Sequence, residues 1–324
     1  MGTYKLSSRA IIGTFFNRLQ QNIGTEWVPR IGMEFTSNQP SEEYAWLGMS
    51  PAMREWIGGR QAKGLNESSV IIKNKKFEAT IEVLVDELRR DKTGQILIRV
   101  QEIADRYNAH WAKLLSALII AGEAATAGLC YDGQYFFDTD HSELSSGTQS
   151  NDISVDISAL PTGDTTGSHG TTTAPSVGEM SLSISAAIQA ILGFKDDQGE
   201  PMNENAREFI VMVPSTMFNA AMAACSVPFL PQGMNNPLVA ASAYRVLPVA
   251  NVRLNASWTT EFAVFRTDGL TKPFILQNEY PVQIDAIAEG SELEFKEDKH
   301  YYGIKASRNV GFGYWQHGCL VTMT

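Results

Sequence analysis

The chain has 324 residues, 44% of them hydrophobic, and a formal net charge of −10. That length and apolar content can bury one large core or two lobes, and no uninterrupted run of eighteen apolar residues is present to cross a membrane. The acidic balance argues against a sequence-specific nucleic-acid binder, whose affinity comes largely from neutralised phosphates, but not against a container for nucleic acid.

Residues 1–21 lack the apolar run and small-residue cleavage site of a signal peptide. Leu6, Ile11, Ile12, Phe15, Phe16 and Leu19 predict one amphipathic helix. The stretch up to residue 36 is otherwise irregular and reads as an arm that docks on something else, such as a neighbouring copy.

Aromatic and aliphatic residues then concentrate in 43–59, with Tyr44, Trp46, Leu47, Met53, Trp56 and Ile57. A Gly-rich, charged stretch follows at Gly58, Gly59, Arg60, Lys63 and Gly64. Phe77, Ala79, Ile81, Val83 and Val85 alternate with more polar neighbours, the period of a half-buried strand. Two extended arms around this tip predict a long β-hairpin over 43–85. An isolated hairpin is marginal in water, so it must lie against other structure.

Residues 93–122 predict the longest helix, ~45 Å at 1.5 Å per residue. Ile96, Val100, Ile103, Tyr107, Trp111, Leu114 and Leu118 recur at spacings of three and four and define its apolar face. Trp111 stands near the centre of that face, where an aspartate is expected to unfold the subunit. Residues 142–176 are rich in Ser, Thr and Gly and read as a surface loop with a short strand near Ile153. Ser176 and Glu179 match a capping box for a helix ending near Gly193. A continuous apolar strand over 209–213 and a second helix through Ala224 complete an α/β unit. Strands are expected at 245–254, 261–266, 274–277, 282–287 and 304–310.

Enzyme signatures such as Gly-x-x-x-x-Gly-Lys-Ser/Thr, His-Glu-x-x-His and Gly-x-Ser-x-Gly are absent. Gly311-Phe312-Gly313 resembles the start of a dinucleotide loop but lacks the third glycine, and close strand packing explains it better. Asp132, Asp138, Asp140 and His141 form the one carboxylate–histidine cluster. Oxygen ligands at this spacing could bind a divalent cation; the competing reading is a polar turn whose Asp side chains bond their own backbone. Cys130, Cys225 and Cys319 are odd in number and far apart, which predicts reduced thiols.

Several motifs together carry a family resemblance. Ser41-Glu42-Glu43-Tyr44-Ala45-Trp46-Leu47-Gly48 leads into Pro51-Ala52-Met53-Arg54-Glu55-Trp56-Ile57-Gly58-Gly59-Arg60. Asn74-Lys75-Lys76-Phe77-Glu78-Ala79-Thr80-Ile81, the long helix, Tyr131-Asp132-Gly133-Gln134-Tyr135-Phe136-Phe137 and His141 follow in order. The run resembles the Mu-like bacteriophage major head subunit family, most densely between Ser41 and His141.

The resemblance implies an α+β chain of the Hong Kong 97-like capsid fold. Its expected parts are an N-terminal arm (1–36), an extended β-hairpin loop (37–86), a peripheral domain (87–145 and 265–300) around the spine helix 93–122, and an axial α/β domain (146–264 and 301–324). It implies a major capsid protein of a tailed phage, not an enzyme, needing no cofactor or metal. Its copies would form the hexamers and pentamers of an icosahedral head enclosing double-stranded DNA non-specifically. A separate scaffolding protein and a portal protein are the other implied partners, with assembly in the host bacterial cytoplasm and no membrane. Hairpin-loop contacts between copies are assigned to Trp46, Trp56, Arg60, Lys63 and Phe77. Some related shells cross-link through a Lys–Asn isopeptide bond, and Lys63 lies near the tip where such a lysine could sit, but no partner Asn or catalytic Glu is marked. The alternatives are an encapsulin-like nanocompartment shell and a metal-dependent enzyme built on Asp132, Asp138 and His141.

Overall fold

A computed structural model describes residues 8–21, 25–46, 68–91, 93–161, 168–230, 235–240 and 244–324. No helix among them is long and apolar enough to cross a membrane. Helix α1 (Ser8–Gln21) is followed by the short α2 (Val28–Ile31), then strands β1 (Gly32–Thr36), β2 (Ser41–Trp46), β3 (Ser68–Lys73) and β4 (Lys75–Leu84). Next come α3 (Val85–Arg90), the long α4 (Gln95–Ile120), β5 (Asp152–Val155), α5 (Val177–Gly193), β6 (Glu208–Val213), α6 (Phe218–Ser226) and α7 (Pro237–Ala240). Strands β7 (Arg245–Ala250), β8 (Glu261–Arg266) and β9 (Phe274–Ile287), helix α8 (Glu292–Glu297), and strands β10 (Lys299–Phe312) and β11 (Gly318–Met323) complete the chain.

The strands form three sheets: β1-β9-β10-β4, β5-β11-β8-β6-β7, and the antiparallel pair β2-β3. Helix α4 has 26 residues, about 39 Å of rise, and joins two hydrophobic clusters. Its first half supplies Val100 and Ala104 to a small cluster with Ile11, Phe15, Val83 and Tyr302. Its second half supplies Ala112, Leu115, Leu118 and Ile119 to the large cluster around the five-stranded sheet. There α5 packs on β8 and β11, and α6 on β6 and β7. The carboxylate of Asp91 accepts the backbone N–H groups of Thr93, Gln95 and Ile96 at 3.1–3.2 Å, closing the N-terminus of α4. Those donors hold Asp91 below its ordinary pKa, the Ile96 N–H most strongly.

Several expectations need correction. The N-terminal helix docks on its own subunit: Arg18 forks onto Asp105 of α4 at 2.7 and 2.8 Å, and Asn108 donates to Leu19 O at 3.1 Å. The irregular arm also contains β1, which pairs in parallel with β9. The buried stripe of α4 is rotated from the one periodicity selects, because the helix meets different partners along its length. Trp111 lies at the stripe's edge, half-buried, with the Arg308 guanidinium 4.7 Å from its ring. An aspartate there would meet a cation, so Trp111 is a poor site for an unfolding substitution.

Strand β9 is continuous across Pro281 rather than two strands. Its register against β10 slips around Tyr280 and Ser307, where the missing proline N–H breaks the ladder. Strand β10 belongs to the four-stranded sheet throughout, so the chain returns to the five-stranded sheet at 313–317, not at 300/301. The alternating strand, β4, pairs with β10 from Lys75↔Arg308 to Leu84↔Lys299. It is therefore no arm of the hairpin, whose arms are β2 and β3. The capping box forms as expected, and the Glu179 carboxylate also accepts the Gly170 N–H and lies 2.9 Å from His169 Nδ1. This ties the end of the Ser/Thr/Gly-rich loop to α5.

Candidate assembly surface

The hairpin is held at its base by a polar hub. Gln277 of β9 is fully buried; its amide oxygen accepts the Tyr44 hydroxyl at 2.9 Å, and its Nε2 donates to Ile72 O at 3.2 Å and Asn74 Oδ1 at 2.7 Å. Asn309 Nδ2 donates to Lys73 O at 2.8 Å. Burial, aided by nearby Glu42, pushes the Tyr44 phenol up to about 12, so it stays a hydrogen-bond donor. Ile72 is buried against Gly311, where a Cβ would collide with the Ile72 side chain. Gly313 is pressed as closely on Lys272 and Pro273. These glycines serve close packing and not a nucleotide loop. From Trp46↔Ser68 outward the hairpin lies beyond the described residues.

Of the five residues assigned to hairpin contacts, Trp56, Arg60 and Lys63 lie outside the described residues, and Trp46 is placed only as the last residue of β2. Phe77 is in β4, half-buried, with its ring 4.3 Å from the His110 ring. It lines a groove of about 660 Å³ between α4 and the β4–β10 face, with Ile81, Ile103, Tyr107, His110 and Arg308. Burial lowers His110 to about 4, helped by the Arg308 and Lys113 charges, and keeps it neutral. Sequence reasoning missed Gln277 and Arg308, since a lone Gln or Arg within a strand carries no spacing signal.

The Asp132–His141 cluster is a structural pin. His141 Nδ1 lies 2.6 Å from Asp132 Oδ2, both side chains are buried, and the imidazole stacks on Trp315 at 3.9 Å. Asp138 is turned onto backbone, accepting the N–H of Tyr135 at 3.2 Å and of Thr139 at 2.7 Å. Among the described residues no group of three or more His, Cys, Asp or Glu could hold a metal ion. His141→Ala strands the Asp132 carboxylate in the interior, and breaking a buried pair costs ~3–5 kcal/mol. We expect a large fall in melting temperature for that variant and no change for the parent protein on adding EDTA. A chelator-sensitive melt would restore the metal reading.

The layout is one long helix bridging two cores, two sheets joined by crossings of the chain, and an antiparallel pair, β2–β3, whose described base is fastened to the four-stranded sheet. This is the fold of tailed-phage capsid shells. Over 97% of this chain and 74% of the other, it superposes on the procapsid protein of bacteriophage JBD30 with a TM-score of 0.53 at 22% identity. The mature capsid of bacteriophage PhiM1 gives 0.54 over 91% and 85% at 10% identity. The chain belongs to the family of the Mu-like prophage major head subunit gpT, whose model matches residues 9–161 and 237–322. It is 34% identical over 105 residues to the Mu-like prophage FluMu major head subunit of Haemophilus influenzae (32% of this chain, 33% of that protein). It is 32% identical over 112 residues to the major capsid protein of Escherichia phage Mu (35% and 36%). The aligned stretches span about a third of each of these two relatives. The family match extends well past His141, and between its two stretches it lapses over 162–236, which carries α5, β6 and α6.

Proposed function

We propose that this chain is a shell-forming major capsid protein of a tailed phage. Its copies build the hexamers and pentamers of an icosahedral head around double-stranded DNA. In this reading the fold is Hong Kong 97-like. The four-stranded sheet and the first half of α4 form the peripheral domain, the five-stranded sheet with α5 and α6 forms the axial domain, and β2–β3 is the base of the extended loop. A separate scaffolding protein and a portal act as partners, and assembly takes place in the host bacterial cytoplasm. The observation that carries the reading is family membership over most of the chain; the described foot of the hairpin, β2 and β3, fits the base of an extended loop. Membership of a phage head family does not favour the nanocompartment alternative. Sedimentation of the purified protein tests it: most of the mass should run as particles far larger than a 35.6 kDa subunit.

DNA contact should be weak and without base readout, given the net charge of −10. Unassembled subunits titrated with two unrelated duplexes should bind both alike at low ionic strength and lose them at physiological salt, because only phosphate charge is engaged. Tight, salt-resistant binding to one sequence would contradict a container role.

A further inference from the structure

One end of the groove between α4 and the β4–β10 face gathers positive charge around a buried arginine. Arg308 is 1% exposed. Its guanidinium lies over the Tyr107 ring at 4.0 Å, and its Nη2 donates to Tyr107 O at 3.2 Å. Nε and Nη1 have no hydrogen-bond partner among the described residues, and neither does His110 Nδ1 in the same groove. Lys113, one helical turn beyond His110, lines the groove as well. Arg253, from the turn at 252–254, acts on the His110 imidazole together with Arg308 and Lys113. The carboxylates of the groove are engaged or distant. Glu102 pairs with Arg99 and Arg106, Glu82 pairs with Lys299, and Glu78 accepts the Thr80 hydroxyl. Glu87 follows Leu84, which is opposite Lys299, about 30 Å along β10 from Arg308. Glu34 acts on the guanidinium only at a distance. A buried charge left unpaired is among the most costly features a fold can carry.

We propose that this end of the groove binds a phosphate group, held by Arg308 and Lys113 with His110 and Arg253 beside it. The group is inorganic phosphate or a backbone phosphate of nucleic acid, which present the same chemistry. The site lies within one subunit, so the inference goes beyond the shell reading and does not depend on it. Charge favours an anion: three cations converge where no carboxylate among the described residues pairs with them. Geometry favours phosphate over carboxylate. The donors come from three places in the chain, β10, α4 and the 252–254 turn. A tetrahedral group has oxygens for donors on several sides, whereas a planar carboxylate offers two oxygens in one plane. The Tyr107 and Trp111 rings, 4.0 and 4.7 Å from the guanidinium, fix the arginine before anything binds. Such preorganisation lowers the cost of ordering the site. Aromatic contact offsets part of the lost hydration but satisfies no N–H, and a bound phosphate supplies the missing acceptors.

The test follows the melting temperature of the full-length, unassembled subunit as sodium phosphate replaces sodium chloride at constant ionic strength. The parent should show a rise that saturates, as binding to the folded state requires. Lys113→Met and Arg308→Met should each weaken the apparent affinity roughly tenfold or more, the factor for losing one charge-assisted contact. Arg99→Met removes the same charge at the far end of the groove and should keep the parent's affinity. Without phosphate, Arg308→Met should melt no lower than the parent, since an apolar side chain replaces an unpaired buried charge. Should that variant fail to fold, Lys113→Met, at an exposed position, decides alone. A short DNA duplex separates the two sources. If the site takes backbone phosphate, the duplex is displaced by inorganic phosphate and binds more weakly to the same two variants. If it takes free phosphate, the duplex binds parent and variants alike. A parent with no saturating rise would overturn the proposal. So would an equal rise in Lys113→Met, which marks a general salt effect, or an equal rise of the parent in sodium glutamate, which marks a carboxylate site. A parent that forms no shells overturns the functional reading and leaves this inference standing.

Discussion

Leu115→Asp will leave the subunit unfolded. Leu115 is fully buried in the half of α4 that meets the large core. An ionised carboxylate there would sit within the apolar cluster, and burying it costs at least several kcal/mol. A domain's whole stability is about 5–15 kcal/mol. The result should be insoluble protein, or soluble protein with no cooperative melt by circular dichroism. Trp111→Asp, four residues earlier, should be far milder, because that position is half-exposed and adjoins Arg308. A normally melting Leu115→Asp subunit would mean that α4 does not join the two cores.

Gln277→Leu will abolish assembly while the core stays folded. The substitution keeps the size of the side chain but removes every partner that Gln277 gives to Tyr44, Ile72 and Asn74. Each polar group left buried and unsatisfied costs ~1–3 kcal/mol. All three groups belong to the hairpin and its junction with β4, so the loss falls on the hairpin's attachment rather than on either hydrophobic cluster. Limited proteolysis should cut within 41–74 much faster than in the parent, with only a modest change in the main thermal transition. Wild-type cleavage and wild-type assembly would show that the hub does not hold the hairpin.

Elements whose pattern is set locally were legible in the sequence. The capping box at Ser176 and Glu179, the apolar run of β6 and the bounds of β8 needed no tertiary information. Strand β11 was missed because it is buried on both faces, so Cys319, Leu320 and Val321 lack the alternation that marks a half-exposed strand. Strand β1 was missed because its partner β9 lies more than 200 residues away. The hairpin was read one strand too long for a similar reason: β3 and β4 are separated only by Asn74, and nothing local says that the chain changes sheets there. The site divides in the same way. The hairpin-contact residues Trp56, Arg60 and Lys63 were assigned through motif resemblance and lie outside the described residues, whereas Arg308 and Gln277 gain their roles from neighbours brought together by the sheet.

The central claim, that this chain builds a closed shell with copies of itself, is tested most directly by electron micrographs of the purified protein. The account predicts hollow, closed particles of uniform diameter whose reconstruction resolves hexamers and pentamers, with the hairpin of each subunit lying on a neighbour. A monodisperse monomer or small oligomer at every concentration, with the hairpin folded onto its own subunit, would contradict it.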